Sequence, residues 1–367
     1  MIYFVMALAL FAEDDYEEVI VKLTETLQDW GCWDDGWTPP TSGGITQARQ
    51  RLGADPVRRV FSQVAVPVAD LDTVGAFLGP WRLMTIDGFE WDAPASDANI
   101  AAFGFAGTGK DAGGQAAAFP KVRVVTLAEC ASHAVVDAAI GAVVAKGSGE
   151  QSLARGVYPH LEADWLLIAD RNFYNWQDWC TAADTGAALL WRAKADRPLP
   201  VLSLLADGSF RSVLINPTIR SASPQRRALL DAAHAGQDLD PAQARYVRVI
   251  EYDVPDRDGE LVTLITTITD PMAAPATVLA QAYHRRWEHE TGNAQLKTAL
   301  RGPGRVLRSH SPDLVRQEIY GYLLTHYAIS ALICTAATAA GIDPGRVKFK
   351  RTVRIIRRRV VDPTFSP

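Results

Sequence analysis

The sequence predicts an α/β protein: a sheet of strands alternating with helices, interrupted by a β-rich insertion and flanked by helices at both ends. Three observations predict it. Two short apolar runs, Trp81-Arg-Leu-Met-Thr-Ile-Asp87 and Trp165-Leu-Leu-Ile-Ala-Asp170, each end in an acid, as buried parallel strands do. Helix-like and strand-like stretches alternate across this region, the pattern of a sheet covered by helices. From about residue 192 to 265 turn signals such as Asp207-Gly208 and Asp258-Gly259 alternate with β-prone runs, the texture of an inserted β unit.

In chain order, residues 1–75 read as a helical N-terminal domain. Leu8, Leu10, Phe11, Val19, Ile20, Val21, Leu23 and Leu27 form apolar clusters between acids. Thr41-Ser42-Gly43-Gly44 reads as a break, followed by short helices over Ile45–Leu52 and Pro56–Val66. Arg49, Arg51, Arg58 and Arg59 make this part locally basic; a solvated helix face is the simpler reading and contact with DNA backbone the alternative. Residues 76–191 carry strand candidates at Trp81–Asp87, Lys121–Leu127, Ala134–Val144 and Trp165–Asp170, with a helix over Glu150–Leu161. The insertion, 192–265, offers strands at Val201–Leu205, Arg245–Tyr252 and Leu261–Ile268. Residues 266–342 begin with one long helix over Pro271–Leu300 and continue in helices, and 343–367 form a basic tail.

Hydrophobic residues make up 48% and charged residues 22% of the 367, which excludes wholesale disorder. Cys32, Cys130, Cys180 and Cys334 show no C-x-x-C spacing, which argues against a zinc cluster or a disulfide framework and for a reducing, cytoplasmic setting. The apolar stretch Met1–Ala12 lacks a positive flank and runs into Glu13, Asp14 and Asp15, so it reads as a core helix rather than a signal peptide. Ile319–Ala340 is interrupted by His326 and diluted by Ala and Thr, and reads as a buried helix; no membrane association is expected.

The formal net charge is −5, from 37 Lys+Arg against 42 Asp+Glu. It is unevenly placed. Arg285 to Arg359 holds 15 bases and 5 acids, a net of +10, which suits a polyanionic partner while the remainder stays acidic.

The residues that carry chemistry are Asp87 and Asp170 at strand ends and Glu290 on the later helix. Grouped carboxylates suit Mg²⁺ or Mn²⁺, hard ions that prefer oxygen, and two such ions can assist phosphodiester hydrolysis. Tyr283, Arg286, Glu290 and Lys297 are spaced so that a continuous α-helix would gather them in one narrow stripe. An acid with two bases and a phenol fits a phosphate site, the bases holding phosphate oxygens. Glu90 and Asp92 compete with Asp87, which is preferred because it ends the apolar run. Trp287 reads as core packing. Gly107-Thr-Gly109-Lys110 lacks the phosphate-loop pattern and reads as a turn, and the seven histidines show no H-x-x-x-H spacing.

The pattern Y-x2-R-x3-E-x6-K formed by Tyr283, Arg286, Glu290 and Lys297 resembles the YREK signature of DDE transposases of the insertion sequence 4 family. Thr85-Ile86-Asp87-Gly88 is similar to that family's first-aspartate strand. Ala169-Asp170-Arg171-Asn172-Phe173-Tyr174 is similar to its second-aspartate motif, and Thr46 to Gly53 resembles part of its N-terminal domain. The resemblance implies an RNase H-like catalytic core with the β-rich insertion between Asp170 and Glu290. It implies Asp87, Asp170 and Glu290 as catalytic, metal-binding residues for Mg²⁺ or Mn²⁺, two ions together. Tyr283, Arg286 and Lys297 would contact double-stranded DNA at transposon ends, target DNA would be the second substrate, and a homodimer would form the synaptic complex in a cytoplasmic, nucleoid-associated setting. Two departures stand out. Thr291 and Gly292 occupy positions where relatives carry bulky apolar residues. No Trp lies between Trp191 and Trp287 to stack a flipped base, for which Phe210, Tyr246 and Tyr252 are the available aromatics. The rival readings are a metal-dependent nuclease on the same fold and a catalytically dead DNA-binding remnant of a transposon.

Overall fold

The computed structural model describes residues 1–28, 36–106, 118–144, 147–194, 197–253 and 261–362. Cys32 and the turns at Gly107–Lys110 and Asp258-Gly259 lie outside the described residues. The chain is a mixed α/β protein that forms two compact units. One comprises Met1–Ala76, Gly88–Gly149 and Glu288–Pro367, and the other Phe77–Asp87 and Glu150–Trp287.

The first unit opens with four helices: α1 (Ile2–Leu10), α2 (Tyr16–Gln28), α3 (Ser42–Leu52) and α4 (Asp55–Val64). The expected break at Thr41–Gly44 is instead the start of α3. Thr41 caps it by accepting from Gly44 N at 3.3 Å, so the small residues that suggest a break form its first turn. The helix α11 (Pro312–Ala339) runs through this unit, with Ser311 accepting from Leu314 N as its cap. Phe4, Val5, Leu8, Val57, Phe61, Val315, Ile319 and Leu323 share one core with it. The apolar stretches at both ends of the sequence are therefore two sides of one interior, and 56% of the most apolar window of α11 is buried in the protein. α1 crosses α11 so closely at Gly321 that a Cβ there would lie 2.7 Å from both Val5 O and Val5 Cγ1. Thr325 Oγ1 donates to Met6 O at 2.9 Å just beyond. The expected basic tail contains a helix, α12 (Phe349–Val360), anchored in the same core by buried Phe349 and Val353.

Arg49 is neither solvated nor at a DNA-facing surface: it is fully buried. Its guanidinium donates to Gln317 Oε1 at 2.8 Å, Ser309 Oγ at 3.1 Å, the Tyr16 hydroxyl and Leu314 O. Ser309 Oγ in turn donates to buried Glu318 Oε2 at 2.7 Å, which places the balancing negative charge one hydrogen bond away. Arg58 and Arg59 both pair with Asp55, at 2.6 and 2.9 Å.

The units share two elements, the long strand β2 (Trp81–Asp92) and the helix α10 (Arg286–Ala294). In the first unit β2 is followed in the sheet by β3 (Lys121–Glu129) and β4 (Val135–Ala142), an antiparallel hairpin, with the short helix α5 (Asp97–Phe103) between β2 and β3 in sequence. In the second unit β2 carries the small antiparallel strand β1 (Phe77–Leu78) and pairs in parallel with β5 (Trp165–Ala169), which pairs in parallel with β6 (Ala188–Arg192). α6 (Glu150–Ala154) and α7 (Trp176–Ala183) flank β5 in sequence, so the single helix expected over Glu150–Leu161 is α6 plus a 3₁₀ turn at Tyr158–His160. Trp179 of α7 packs edge-on against Trp191 of β6, their ring centroids 5.3 Å apart.

The insertion prolongs this sheet. β10 (Leu261–Thr266) joins β6 antiparallel, followed by β9 (Ala244–Asp253), β8 (Phe210–Ile215) and β7 (Ser203–Leu204). β8 and the helix α8 (Pro224–His234) are additions to the expected elements. Val213, Ile215, Ala233 and Ala244 form a small core of their own. Fully buried Arg248 of β9 donates to Asp207, Ser209 Oγ and Ala274 O, tying the β7–β8 turn to the segment before α9 (Ala276–His284).

Candidate active site

Strand pairing brings the two aspartates together. The parallel register of β2 with β5 ends at Thr85 opposite Ile168. Asp87 and Asp170 each lie two residues further on, so the register carries them to neighbouring positions on one face, with strands about 4.8 Å apart. Both are half-buried, beyond fully buried Thr85 and Ile168. β5 stops there because Asp170 turns the chain: its Oδ1 accepts from Asn172 N at 2.6 Å and its carbonyl from Phe173 N.

Asp87 does not end its strand. β2 runs on to Asp92 because Phe89 and Trp91 continue the inward alternation and are buried. The competing acids on that extension face the other way and are engaged. Glu90 pairs with Arg123 at 2.6 Å and Asp92 with Lys121 at 3.3 Å.

Tyr283, at the end of α9, is buried, and its phenol is pushed up to about 12. Burial is the main cause; the charge of Asp170 adds to it, and Arg286 and Arg192 oppose it. Tyr283 is therefore a neutral hydroxyl within electrostatic reach of Asp170, Arg286 and Arg192. Arg286 opens α10 with its guanidinium 4.9 Å from the centroid of the Trp287 ring. Trp287 is not core packing: it is 43% exposed.

Glu290 is exposed on α10, and Lys297 is half-buried with its ammonium 5.4 Å from the ring centroid of Phe89. Asp87, Asp170, Tyr283 and Arg286 belong to the second unit, Glu290 and Lys297 to the first. The expected continuous helix over Pro271–Leu300 is three pieces: α9, α10 and a π-helical turn at Gln295–Leu300. The single-stripe arithmetic therefore holds for Arg286 and Glu290, four apart on α10, and not for Lys297, because a π-turn is wider than an α-turn. Among the described residues, no three His, Cys, Asp or Glu side chains are gathered as a metal-ligand group.

The π-turn coincides with a buried polar layer that sequence reasoning missed. The Gln295 amide bridges two imidazoles: its Nε2 is 3.0 Å from His133 Nδ1 and its Oε1 3.2 Å from His326 Nε2. His289, next to Glu290 in sequence, lies 2.8 Å from Thr126 Oγ1 of β3. Burial pushes His133 down to about 4 and His326 down to about 3. His133 sits in the β3–β4 turn at φ 59°, held there as Glu129 accepts from Ser132 Oγ, Val68 N and Ala69 N. It also accounts for Gly292: a Cβ on that buried glycine would meet His133 Cβ at 3.5 Å, so His133 fills the space a bulky side chain would need. No spacing signal links His133, His289 and His326, which three separate elements bring together.

Of the insertion aromatics, Tyr252 packs edge-on against His284 at 5.9 Å and the Tyr246 hydroxyl donates to Gln237 O at 2.7 Å, so both are engaged within the protein.

Residues 1–62 match the insertion element 4 transposase N-terminal family. Over 365 residues the chain is 25% identical to the transposase InsG for insertion sequence element IS4 of Escherichia coli (strain K12), covering 98% of this chain and 75% of that protein. Among solved structures it has a likeness to the piggyBac transposase in its synaptic complex with hairpin DNA. The TM-score is 0.41 at 8% identity, over 76% of this chain and 52% of that one. The N-terminal segment thus resembles that of insertion element 4 transposases, and nearly the whole chain is similar to one transposase of that kind.

Proposed function

We propose that the chain is a DDE transposase with an RNase H-like catalytic core. On this reading it binds the inverted-repeat ends of its own insertion sequence, hydrolyses the phosphodiester at each end and joins the freed 3′-OH to target DNA. The observation that carries the reading is the register of Asp87 and Asp170 on adjacent parallel strands, in a chain similar along nearly its whole length to a transposase. The strand order β4-β3-β2-β5-β6 with a β-rich insertion before α9 supports the core assignment.

The donor set fits Mg²⁺ or Mn²⁺, since paired carboxylates are hard oxygen ligands. Asp87 and Asp170 would hold the ions, with Glu290 as the third ligand. When bound, a pair of such ions supplies an activated water and a counter-charge for the leaving oxygen. The protein's own groups do the positioning. Arg286 presents a guanidinium fork to phosphate oxygens. Tyr283 keeps its proton at any physiological pH and can donate it in a hydrogen bond to the same backbone. Lys297 adds a point charge. In the first reaction a water oxygen bonds to phosphorus and the bond to the 3′ oxygen breaks. In the second that 3′ oxygen bonds to a target phosphorus and a target P–O bond breaks, so the number of phosphodiester bonds is conserved and no energy source is needed. Bringing two ends together requires at least a homodimer, working at the nucleoid in the cytoplasm.

The test is end cleavage and strand transfer on a labelled duplex carrying the inverted repeats that flank the coding sequence. Asp87→Asn, Asp170→Asn and Glu290→Gln should each abolish cleavage while leaving end binding intact. Cleavage without joining by the unaltered protein would favour the nuclease reading, and indifference of every activity to Glu290→Gln would favour the remnant.

A further inference from the structure

α12 carries Lys350, Arg351, Arg354 and Arg358 on one exposed arc. At 100° per residue they span about 100° of the helix surface, and Lys350, Arg354 and Arg358 line up over about 12 Å of axis. Phe349, Val353, Ile356 and Val360 occupy the other side and pack on the core of the first unit. No acid lies between Pro344 and Val361 in the sequence.

Three other helical bases of this unit have acids beside them. Lys22 of α2 pairs with Glu18 at 3.1 Å and Asp14 at 2.5 Å, and Arg58 and Arg59 of α4 share Asp55. Three other cations of the basic C-terminal region are held by protein acceptors. Arg305 pairs with Glu13, Arg308 donates to Ala12 O and Asp14 O, and Arg357 donates to Leu10 O at 2.5 Å. Among the described residues, Lys350, Arg351, Arg354 and Arg358 have no acidic partner within 4.0 Å. Like charges four residues apart weaken a helix, so this arc is a cost to folding that a polyanion would remove.

We propose that the solvent face of α12 is a sequence-independent DNA contact that grips duplex phosphates through Lys350, Arg351, Arg354 and Arg358. The identification of the polyanion as DNA rests on the function proposed above. A lipid surface fits less well, because an interfacial helix must insert its apolar face, and here Phe349 and Val353 are already buried in the protein.

The experiment uses the full chain and a fluorescent random-sequence 30-base-pair duplex, titrated at several salt concentrations. In Lys350→Gln/Arg351→Gln/Arg354→Gln/Arg358→Gln the slope of log affinity against log salt should become shallower by about 3 to 4, at roughly 0.9 per lost phosphate contact. Lys at the three arginine positions should restore most of it, since counterion release needs charge rather than shape. Circular dichroism of the variants should match the unaltered chain and the melting temperature should be no lower, slightly higher in the glutamine variant, which separates lost contact from lost fold. An unchanged salt slope in the folded quadruple variant overturns the proposal. So does a variant that keeps its duplex affinity but no longer binds phosphatidylserine vesicles, which would assign the face to membrane. The two readings fail separately. A chain that cleaves ends but has an unchanged slope refutes this face alone, and one whose slope changes while no end is cleaved refutes the transposase reading alone.

Discussion

Acidification should loosen the first unit well before its carboxylates titrate, because two imidazoles in its interior are held neutral. His133 lies in the β3–β4 turn at about 4 and His326 on α11 at about 3, both below the ordinary histidine value of 6.5, chiefly through burial. The groups facing them are Gln295 from the π-turn, Glu288 of α10 with Oε2 3.9 Å from His133 Nε2, and His289, whose charge would oppose protonation of His326. Asp343, more distant, favours a charged His133. The sign follows from linkage. Below pH 6.5 the unfolded chain takes up protons at these positions and the folded chain does not, so their contribution is complete above 6.5 and is lost as pH falls toward 4. Each imidazole then forfeits up to about 1.4 kcal/mol per pH unit, so going from pH 7 to 5 removes about 4 kcal/mol for the pair. Against a typical total of about 5–15 kcal/mol that is a large fraction. Urea unfolding followed by tryptophan fluorescence at pH 7 and pH 5 measures it. The midpoint should fall sharply at pH 5, and the pH slope should shrink by close to two protons in His133→Asn/His326→Asn whatever the variant's absolute stability. A midpoint that stays put between pH 7 and 5, or a double variant with the unaltered slope, would refute the reasoning.

Two further outcomes follow from packing in the same unit. Arg49→Met should destabilise by about 3–5 kcal/mol in chemical denaturation, because the hydrogen bonds to Gln317, Ser309 and Tyr16 are lost and the buried charge of Glu318 loses its counterpart. Gly321→Ala should cost about 1–3 kcal/mol, since the new Cβ meets the Val5 backbone. Thermal melting gives the size of the loss, and hydrogen exchange should show it concentrated in α1.

The strands that carry the aspartates were legible because short, mostly apolar runs of five or six residues closed by an acid have few other readings. The end of β2 was misplaced because Gly88 looks like a stop, whereas Phe89 and Trp91 supply enough apolar burial to keep the strand going. β8 escaped notice because Arg211 and Ser212 dilute its apolar residues, and α8 because its basic start reads as loop. The YREK spacing was legible as a pattern of residue types, but its geometry was not. The chain pauses at Arg285, and the π-turn at Gln295 is stabilised by imidazoles from β3–β4 and α11, far apart in sequence. Nor could composition separate Arg49 from Arg58: one is buried by its tertiary surroundings and the other is not, although both stand on polar-looking helices.

The crossing of α1 with α11 has a consequence for synthesis. Val5 waits for Gly321 before its surroundings exist, so α1, apolar on nearly every side, leaves the ribosome more than three hundred residues ahead of its cover. Until then it offers a chaperone-sized greasy segment to whatever is nearby. A premature stop anywhere before α11 would leave that segment permanently unprotected, so truncated products should be cleared by proteases or aggregate rather than persist as competitors of the full chain.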